Sequence, residues 1–440
     1  MSAINAKASR KMKKYAVLTR EPRCFLGSLA FSWEQRKLSE MCGTFEYGLN
    51  AAAKEFDGKN KYIRITDIDD ASREFLLSDL SSPDICLDGM SKYLLSSGDI
   101  VFARTGASVG KTYIYRENDG IVYFAGFLIR AKVNQDNDAE FVFQSTLSPS
   151  YEKYIRITSQ RSGQPGVNAQ EYGEYDLFAP SKEEQQRIGH FLRGIDNLIT
   201  LHQRKFEKLT NVKKSMLEKM FPQNGCSYPE IRFKGFTDAW EQRKLGELVD
   251  RVVRKNTNNE STLPLTISAQ YGLVDQITYF NNRVASRDVS NYYLVLNGEF
   301  AYNKSTSDGY PFGAVKRLDL YEKGVLSTLY IVFSPKKEQQ VDSDFLTVFF
   351  DTDRWHKGVA ERAAEGARNH GLLNISAEDF FDIDLSVPKD VAEQKQIGAF
   401  IRQLDNLITL HQRELEKLQN IKKSMLEKMF VYGGTRKWES

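Results

Sequence analysis

Cysteine, histidine and proline are all scarce in this chain of 440 residues, and each scarcity excludes something. The four cysteines, Cys24, Cys42, Cys86 and Cys226, show no Cys-x-x-Cys spacing, which argues against a zinc site or a disulfide framework and for a reduced, cytoplasmic protein. Five histidines leave no Ser/His/Asp arrangement to propose. No stretch approaches 18 consecutive apolar residues, and the basic start Met1–Lys14 is followed only by the short apolar run Tyr15–Leu18. Neither a membrane span nor an export signal is expected. Charge of one sign is also lacking: 61 Lys and Arg against 58 Asp and Glu leave +3, so a nucleic-acid partner is permitted but any basic surface must be local. A dinucleotide glycine fingerprint, an Asp-Pro-Pro-Tyr or Asn-Pro-Pro-Tyr tetrapeptide and a clear Asp…Glu-x-Lys set are absent as well. The chain reads as a binder rather than a catalyst.

What is present is a duplication. The segment from Glu184 to Phe221 returns as Glu393 to Phe430 with a constant shift of 209, Ile188 to Ile397 and Phe221 to Phe430. Apolar residues recur at steps of three and four: Ile188, Phe191, Ile195, Leu198, Leu209, Val212 and Met216, then Ile397, Phe400, Leu404, Leu407, Leu418, Ile421 and Met425. This spacing predicts a coiled-coil seam, and the obvious partner of each helix is the other copy. With no proline between Pro180 and Pro222, an unbroken helix of roughly 40 residues is expected there. His202 with Lys205, and His411 with Glu414, interrupt both seams at the same place and fit polar register marks.

A second repeated phrase precedes each copy: Trp33-Glu-Gln-Arg-Lys-Leu38 and Trp240-Glu-Gln-Arg-Lys-Leu245. The blocks between phrase and helix share almost no running identity, although Gly98 aligns with Gly298, Asn168 with Asn374, and Pro180 with Pro388. Short β-branched and aromatic runs punctuated by Gly, Asp and Ser predict strand-rich mixed α/β blocks, each followed by one shorter helix, over 141–157 and 345–364. The expected division is 1–180, a helix over 181–221, 222–388, a helix over 389–430, and a tail over 431–440, with 1–20 a loose leader.

Gly106-Ala-Ser-Val-Gly-Lys111-Thr112 has three rather than four residues between its glycines, and a strand-like run follows it, so phosphate binding of the P-loop kind is set aside. Two readings of this stretch remain: a strand–turn–strand corner, or a loop whose Arg104, Thr105, Ser108 and Lys111 face phosphates or base edges. The corresponding loop of the second block carries different chemistry, Asn303, Lys304, Ser305, Thr306 and Tyr310. Asn suits adenine, Arg and Lys suit guanine, and Ser or Thr serves either. Further candidates lie in the polar loops before the long helices: Gln160, Arg161 and Gln164, then Arg354, Lys357, Arg368, Asn369 and His370.

Two repeated phrases, two repeated long helices and two divergent blocks in this order closely resemble the specificity subunit of bacterial type I restriction–modification systems, over essentially the whole chain. The resemblance implies a fold of two pseudo-symmetric α/β target recognition domains joined by two long antiparallel coiled-coil helices. It implies that each domain reads one half of a split, asymmetric site in double-stranded DNA while the helices set the spacing. It also implies a non-catalytic subunit that docks two methyltransferase subunits and joins restriction subunits. S-adenosylmethionine, ATP and magnesium would then belong to those partners, with no cofactor in this chain. A stand-alone DNA-binding regulator and a coiled-coil scaffold without DNA are the alternatives from other classes.

Overall fold

The computed structural model describes residues 33–430 apart from 161–162, 224, 269–270, 308, 339–340 and 364–372. The chain forms two compact units, one running to His202 and resuming at Glu414, the other spanning Gln203–Arg413. In chain order, unit one holds strands β1 (Glu34–Lys37), β2 (Cys42–Tyr47), β3 (Ile100–Ala103), β4 (Thr112–Ile114) and β5 (Leu128–Val133). Helices α1 (Ala139–Ser145), α2 (Pro149–Thr158) and α3 (Ala169–Gly173), strand β6 (Asp176–Ala179) and the start of the long helix α4 (Lys182–Lys219) follow. Unit two repeats the plan with β7 (Glu241–Lys244), β8 (Val249–Arg251), β9 (Phe300–Asn303), β10 (Ala314–Arg317) and β11 (Ile331–Pro335). It continues with α5 (Ser343–Phe350), α6 (His356–Arg362), α7 (Ala377–Phe381), β12 (Asp384–Val387) and the long helix α8 (Val391–Met429).

Each unit is built on a four-stranded antiparallel sheet, ordered β2-β5-β3-β4 in unit one and β8-β11-β9-β10 in unit two. Both faces of these sheets are covered, which is why the strands read as continuous apolar runs rather than alternating ones. Ile100 and Phe102 point into the core that contains the helices, whereas Val101 and Ala103 point into a separate cluster with Tyr113, Phe124 and Leu128. In unit two Phe300 and Tyr302 face the helix side and Ala301 the other.

The repeated sequences are the frame of each unit. The Glu-Gln-Arg-Lys of the phrase is β1 or β7, paired antiparallel with the strand that leads into the long helix, Glu34 opposite Ala179 and Glu241 opposite Val387. The phrase's tryptophan donates its indole N–H to the first glutamate of the repeat, Trp33 to Glu184 and Trp240 to Glu393, each at 3.3 Å. The next residue, Gln185 or Gln394, is buried. Its oxygen accepts the backbone N–H of Asp138 or Asp342, at 3.0 and 2.8 Å, and its amide donates to the carbonyl of Pro180 or Pro388, at 2.9 Å in both. Those aspartates are the N-caps of α1 and α5. Gly189 and its repeat Gly398 let the long helix lie directly on these caps. A Cβ at Gly189 would stand 2.5 Å from Asp138 Oδ1, and one at Gly398 2.8 Å from Asp344 Cβ.

Within unit one the start of α4, through Ile188, Leu192 and Ile195, shares a core with Leu426 and Phe430 of α8. Within unit two the end of α4, through Leu209, Val212, Met216 and Phe221, shares a core with Ile397, Ile401 and Leu404. The two long helices are therefore antiparallel. Leu198 and Leu407, assigned to the seam by the three-and-four spacing, are exposed instead, while Leu192 and Ile401 are buried. A straight helix drifts about 20° per heptad from a 3.5-residue repeat, and here the buried stripe follows the globular cores. The single shorter helix expected over 141–157 is two, because Pro149 is set at a helix start behind the cap Ser148. Over the second stretch α5 ends at Phe350 and α6 begins at His356. The cap that corresponds to Asn168, ahead of α3, is Ser376 ahead of α7 and not Asn374.

Ion pairs between the helices repeat as well. Lys213 meets Asp405 at 2.7 Å in unit two, and Lys422 meets Asp196 at 2.6 Å in unit one. Lys213 also reaches Asp351, at 3.2 Å, to which Lys316 is bound at 2.7 Å. Burial works against charge on Lys213, yet Asp351 and Asp405 hold its ammonium above the ordinary value. Burial works against Asp351 too, and Lys316 and Lys213 nevertheless hold its carboxylate below the ordinary 3.8.

Two outcomes are expected. Gly189→Ala should destabilise the protein by about 1–3 kcal/mol through overpacking, whereas Gly194→Ala, with nothing within 4 Å of its Cβ, should stabilise it by about 1 kcal/mol through helix propensity. Denaturant midpoints decide this, and equal shifts for the two would refute the packing account. Lys213→Met should cost about 1–3 kcal/mol, because it takes a charged partner from two carboxylates at once, leaving Asp351 with Lys316 and Asp405 without its lysine. Lys422→Met should cost less, because Lys422 meets one carboxylate where Lys213 meets two, and Gln144 also donates to that carboxylate at 2.7 Å. Since Asp351 has a depressed pKa when folded, its contribution is present above pH 3.8 and lost as the pH falls through the depressed value. The gap between wild type and Lys213→Met should therefore narrow in acid.

Candidate nucleic-acid interface

The loops singled out in the sequence leave the same end of the same strand in both units. Arg104 and Lys304 each follow the last residue of the corresponding central strands β3 and β9. The carbonyl of Arg104 accepts the N–H of Val167, and that of Lys304 accepts the N–H of Leu373, both at 3.0 Å. The hairpin loop and the polar loop ahead of the last short helix are thereby stitched together in each unit. In unit one the stitch continues: Gly106 N–H donates to Pro165 O at 3.0 Å, Thr105 pairs with Gly166, and Gln164 lies against Gly106. Residues 106–108 form a single 3₁₀ turn between antiparallel strands, with positive φ at Gly106 and Gly110, so the strand–turn–strand geometry holds and no helix follows Lys111.

A buried aromatic pair pins each hairpin. Phe102 packs on Tyr172, centroids 4.8 Å apart, and the Tyr172 hydroxyl donates to Ala103 O at 2.6 Å and accepts Gly110 N–H at 3.1 Å. At the matching place in unit two Tyr302 stacks on Phe380 at 4.3 Å, and the hydroxyl is on the other ring, where Tyr302 donates to Phe312 O at 2.9 Å. Burial pushes both tyrosines well above their ordinary pKa, so each pin stays a neutral hydroxyl.

The candidate side chains fare differently. Thr105 and Ser108 are half-buried on the hairpin, while Gln160 and Gln164 are exposed beside it. Lys111 is mostly buried and paired with Asp70 at 2.5 Å, which leaves it little charge to offer a phosphate. In unit two, Asn303 turns its Oδ1 to the N–H of Ser305 at 3.0 Å, and Lys304 donates to Ile375 O at 3.3 Å. Ser305 is exposed, with Thr306 and Tyr310 half-buried in the same loop. Phe312 of this hairpin packs on His356, at the start of α6, which carries the exposed Lys357, ion-paired with Glu361. Arg354 points elsewhere, donating to Glu218 O at 3.3 Å near the end of α4, where it serves the frame. Arg161, Arg368, Asn369 and His370 lie outside the described residues.

Two residues escaped the sequence reading. The Arg104 guanidinium carbon lies 5.1 Å from the Tyr47 ring centroid and 5.7 Å from that of Phe127. Tyr47 closes β2 and looks like any strand residue. Phe127 falls inside the apolar run Tyr123–Ile129, and only Gly126 hints that the chain turns there.

Residues 32–211 and 238–420 match the family described as type I restriction modification DNA specificity domain. The chain is 22% identical over 423 residues to a protein of Methanocaldococcus jannaschii named putative type I restriction enzyme MjaX specificity subunit, covering 91% of this chain and 93% of that one. It is 23% identical over 368 residues to the MjaVIII specificity subunit of the same organism, covering 81% and 83%. A crystal structure of a type I restriction–modification S subunit from M. genitalium matches with a TM-score of 0.62 at 13% identity, over 93% of this chain and 99% of that one, a likeness of fold. Among the described residues no helix is long and apolar enough to cross a membrane, and no cluster of side chains could hold a metal ion.

Tyr172→Phe should leave the fold intact and cost about 1 kcal/mol, because Gly110 N–H and Ala103 O keep their bond to each other at 2.9 Å but lose the hydroxyl that ties both to α3. Hydrogen exchange should quicken over 104–111 while the central strand stays protected. Unchanged exchange over that loop would mean the hydroxyl does not pin it.

Proposed function

This chain belongs to the type I restriction–modification DNA specificity family, and from that membership we propose that units one and two each read one half of a split site in double-stranded DNA. The reading ends are the strand-end hairpins, 104–111 with 160–167 in unit one and 303–310 with the loop before α7 in unit two. The observation that carries this reading is one frame holding two chemistries. The clips at Gln185 and Gln394 are the same to within 0.2 Å, while the strand-end position they support carries Arg104 in one unit and Lys304 in the other. A frame of that kind keeps a reader in register while its contents select different bases.

The subunit does no chemistry in this proposal; modification and cleavage belong to partners. Two methyltransferase subunits dock on the long helices, and restriction subunits join them. The exposed Leu198 and Leu201 on α4, repeated as Leu407 and Leu410 on α8, support two equivalent docking patches. The helices set the length of the unread gap.

Replacing residues 246–388 by the matching block of a relative should change one half of the methylated site and leave the other as it was. Methylation mapping of the complex with its methyltransferase reads this directly. A swap that alters both halves would overturn the independence of the units. DNA binding should tighten when the methyltransferase joins, since a net charge of +3 gives little counterion release alone. Equal affinity and equal salt slope with and without it would contradict the docking scheme.

A further inference from the structure

Arg104 is held in an unusual way for a charged residue at a strand end. Tyr47, Phe127 and Arg104 sit at the ends of three neighbouring strands, β2, β5 and β3, with Arg104 N–H donating to Phe127 O at 3.1 Å. Both rings lie within cation–π range of the guanidinium. Tyr47 is fixed in turn, its hydroxyl accepting the N–H of Ala169 at 3.3 Å. The rings are 45% and 57% exposed, high for large aromatic side chains in an otherwise well-packed unit.

Three neighbouring cations are neutralised, whereas Arg73, near Tyr151, has its Nη1 buried without a hydrogen-bond partner. Lys111 is paired with Asp70, Arg116 with Glu140, and Arg130 with Glu46 and Asp99. Arg104 has no ion pair and no side-chain hydrogen bond among the described residues, and its Nε is buried without a partner. A guanidinium flanked by rings can donate only in its own plane, as a fork. Among base edges in the major groove only guanine offers two adjacent acceptors, N7 and O6. Adenine sets an amino donor beside N7, and thymine and cytosine present one polar group each. A phosphate also accepts a fork, but it would lie against the exposed Phe127 ring and lose hydration there, whereas a base edge or a thymine methyl suits that ring.

We infer that the half-site read by unit one contains a guanine whose N7 and O6 are read by Arg104, with Tyr47 and Phe127 as the positioning residues that aim its fork. The inference rests on the proposal that unit one binds DNA. Among the described residues unit two shows no such arrangement at the matching place, where Lys304 donates to Ile375 O, so this contact belongs to one half of the site.

The test uses the full-length chain co-produced with its methyltransferase and selects from randomised duplexes at one fixed salt concentration. Arg104→Gln replaces the two-donor fork by one donor and one acceptor, and Arg104→Met keeps the packing should the first variant fold poorly. Either should lower the preference for one guanine roughly 10- to 100-fold and leave the other half-site unchanged. Tyr47→Leu and Phe127→Leu should lower it at that same position only, by less. In wild type, 7-deazaguanine there should reproduce the loss, and in Arg104→Met it should add nothing. Weakening that is uniform across sequences with a shallower salt slope would make Arg104 a phosphate contact and overturn the inference. So would a loss confined to a position that is not guanine, or no change at all. Failure of the underlying proposal looks different, because wild-type complexes would then select no sequence that follows the block swapped into unit one.

Discussion

The interaction on which the rest depends is the buried amide of Gln185 and of its repeat Gln394. A glutamine inside a protein must place both its donor and its acceptor, or the burial costs about 1–3 kcal/mol. Here the amide donates to the proline carbonyl that ends the preceding strand, and its oxygen accepts from the aspartate that caps a short helix. One side chain thereby fixes three directions: the exit of the last strand, the entry of the long helix and the axis of α1 or α5. The tryptophan–glutamate bond beside it brings in the first strand of the unit, and the glycine four residues later lets the helix approach closely enough for all of this to close.

With that corner fixed, the middle of each unit is free to vary. The central sheet is sandwiched between two apolar layers, a demand that many combinations of Ile, Val, Phe, Leu and Ala satisfy. The pin under the hairpin shows how loosely sequence is constrained. A hydroxyl must hold the hairpin base, but it comes from Tyr172 beside Phe102 in one unit and from Tyr302 beside Phe380 in the other. Conserving the function of a position without conserving its residue is why the blocks look unrelated while their strand orders are the same.

That also sets what the sequence could disclose. The frame was legible because it repeats: the two long helices, found over 38 and 39 residues, and the phrase ahead of each block stood out as copies, whereas nothing in the phrase itself disclosed that it is a strand. The faces of the long helices were legible only in part, since Leu198 and Leu407 fit the seam spacing equally well and are excluded only by which cores the helix ends enter. Arg354 could not be separated from a surface arginine, because its acceptor is a backbone carbonyl 136 residues earlier. Tyr47 and Phe127 were invisible for a similar reason. Their role arises from three strand ends meeting, which depends on a pairing order that local pattern does not carry.

The near-zero net charge is then consistent with a reader rather than an obstacle to one. Around the candidate face of unit one Lys111, Arg116 and Arg130 have carboxylate partners, which weakens their non-specific attraction to phosphate. A protein that must distinguish one short sequence among many gains from this arrangement. Charge spread over a face binds every duplex alike, whereas an unpaired fork flanked by rings binds well only where two acceptors meet it in plane. In the scheme proposed above, affinity shared by all sequences comes from a partner, for which the repeated exposed leucines on the long helices are the proposed place.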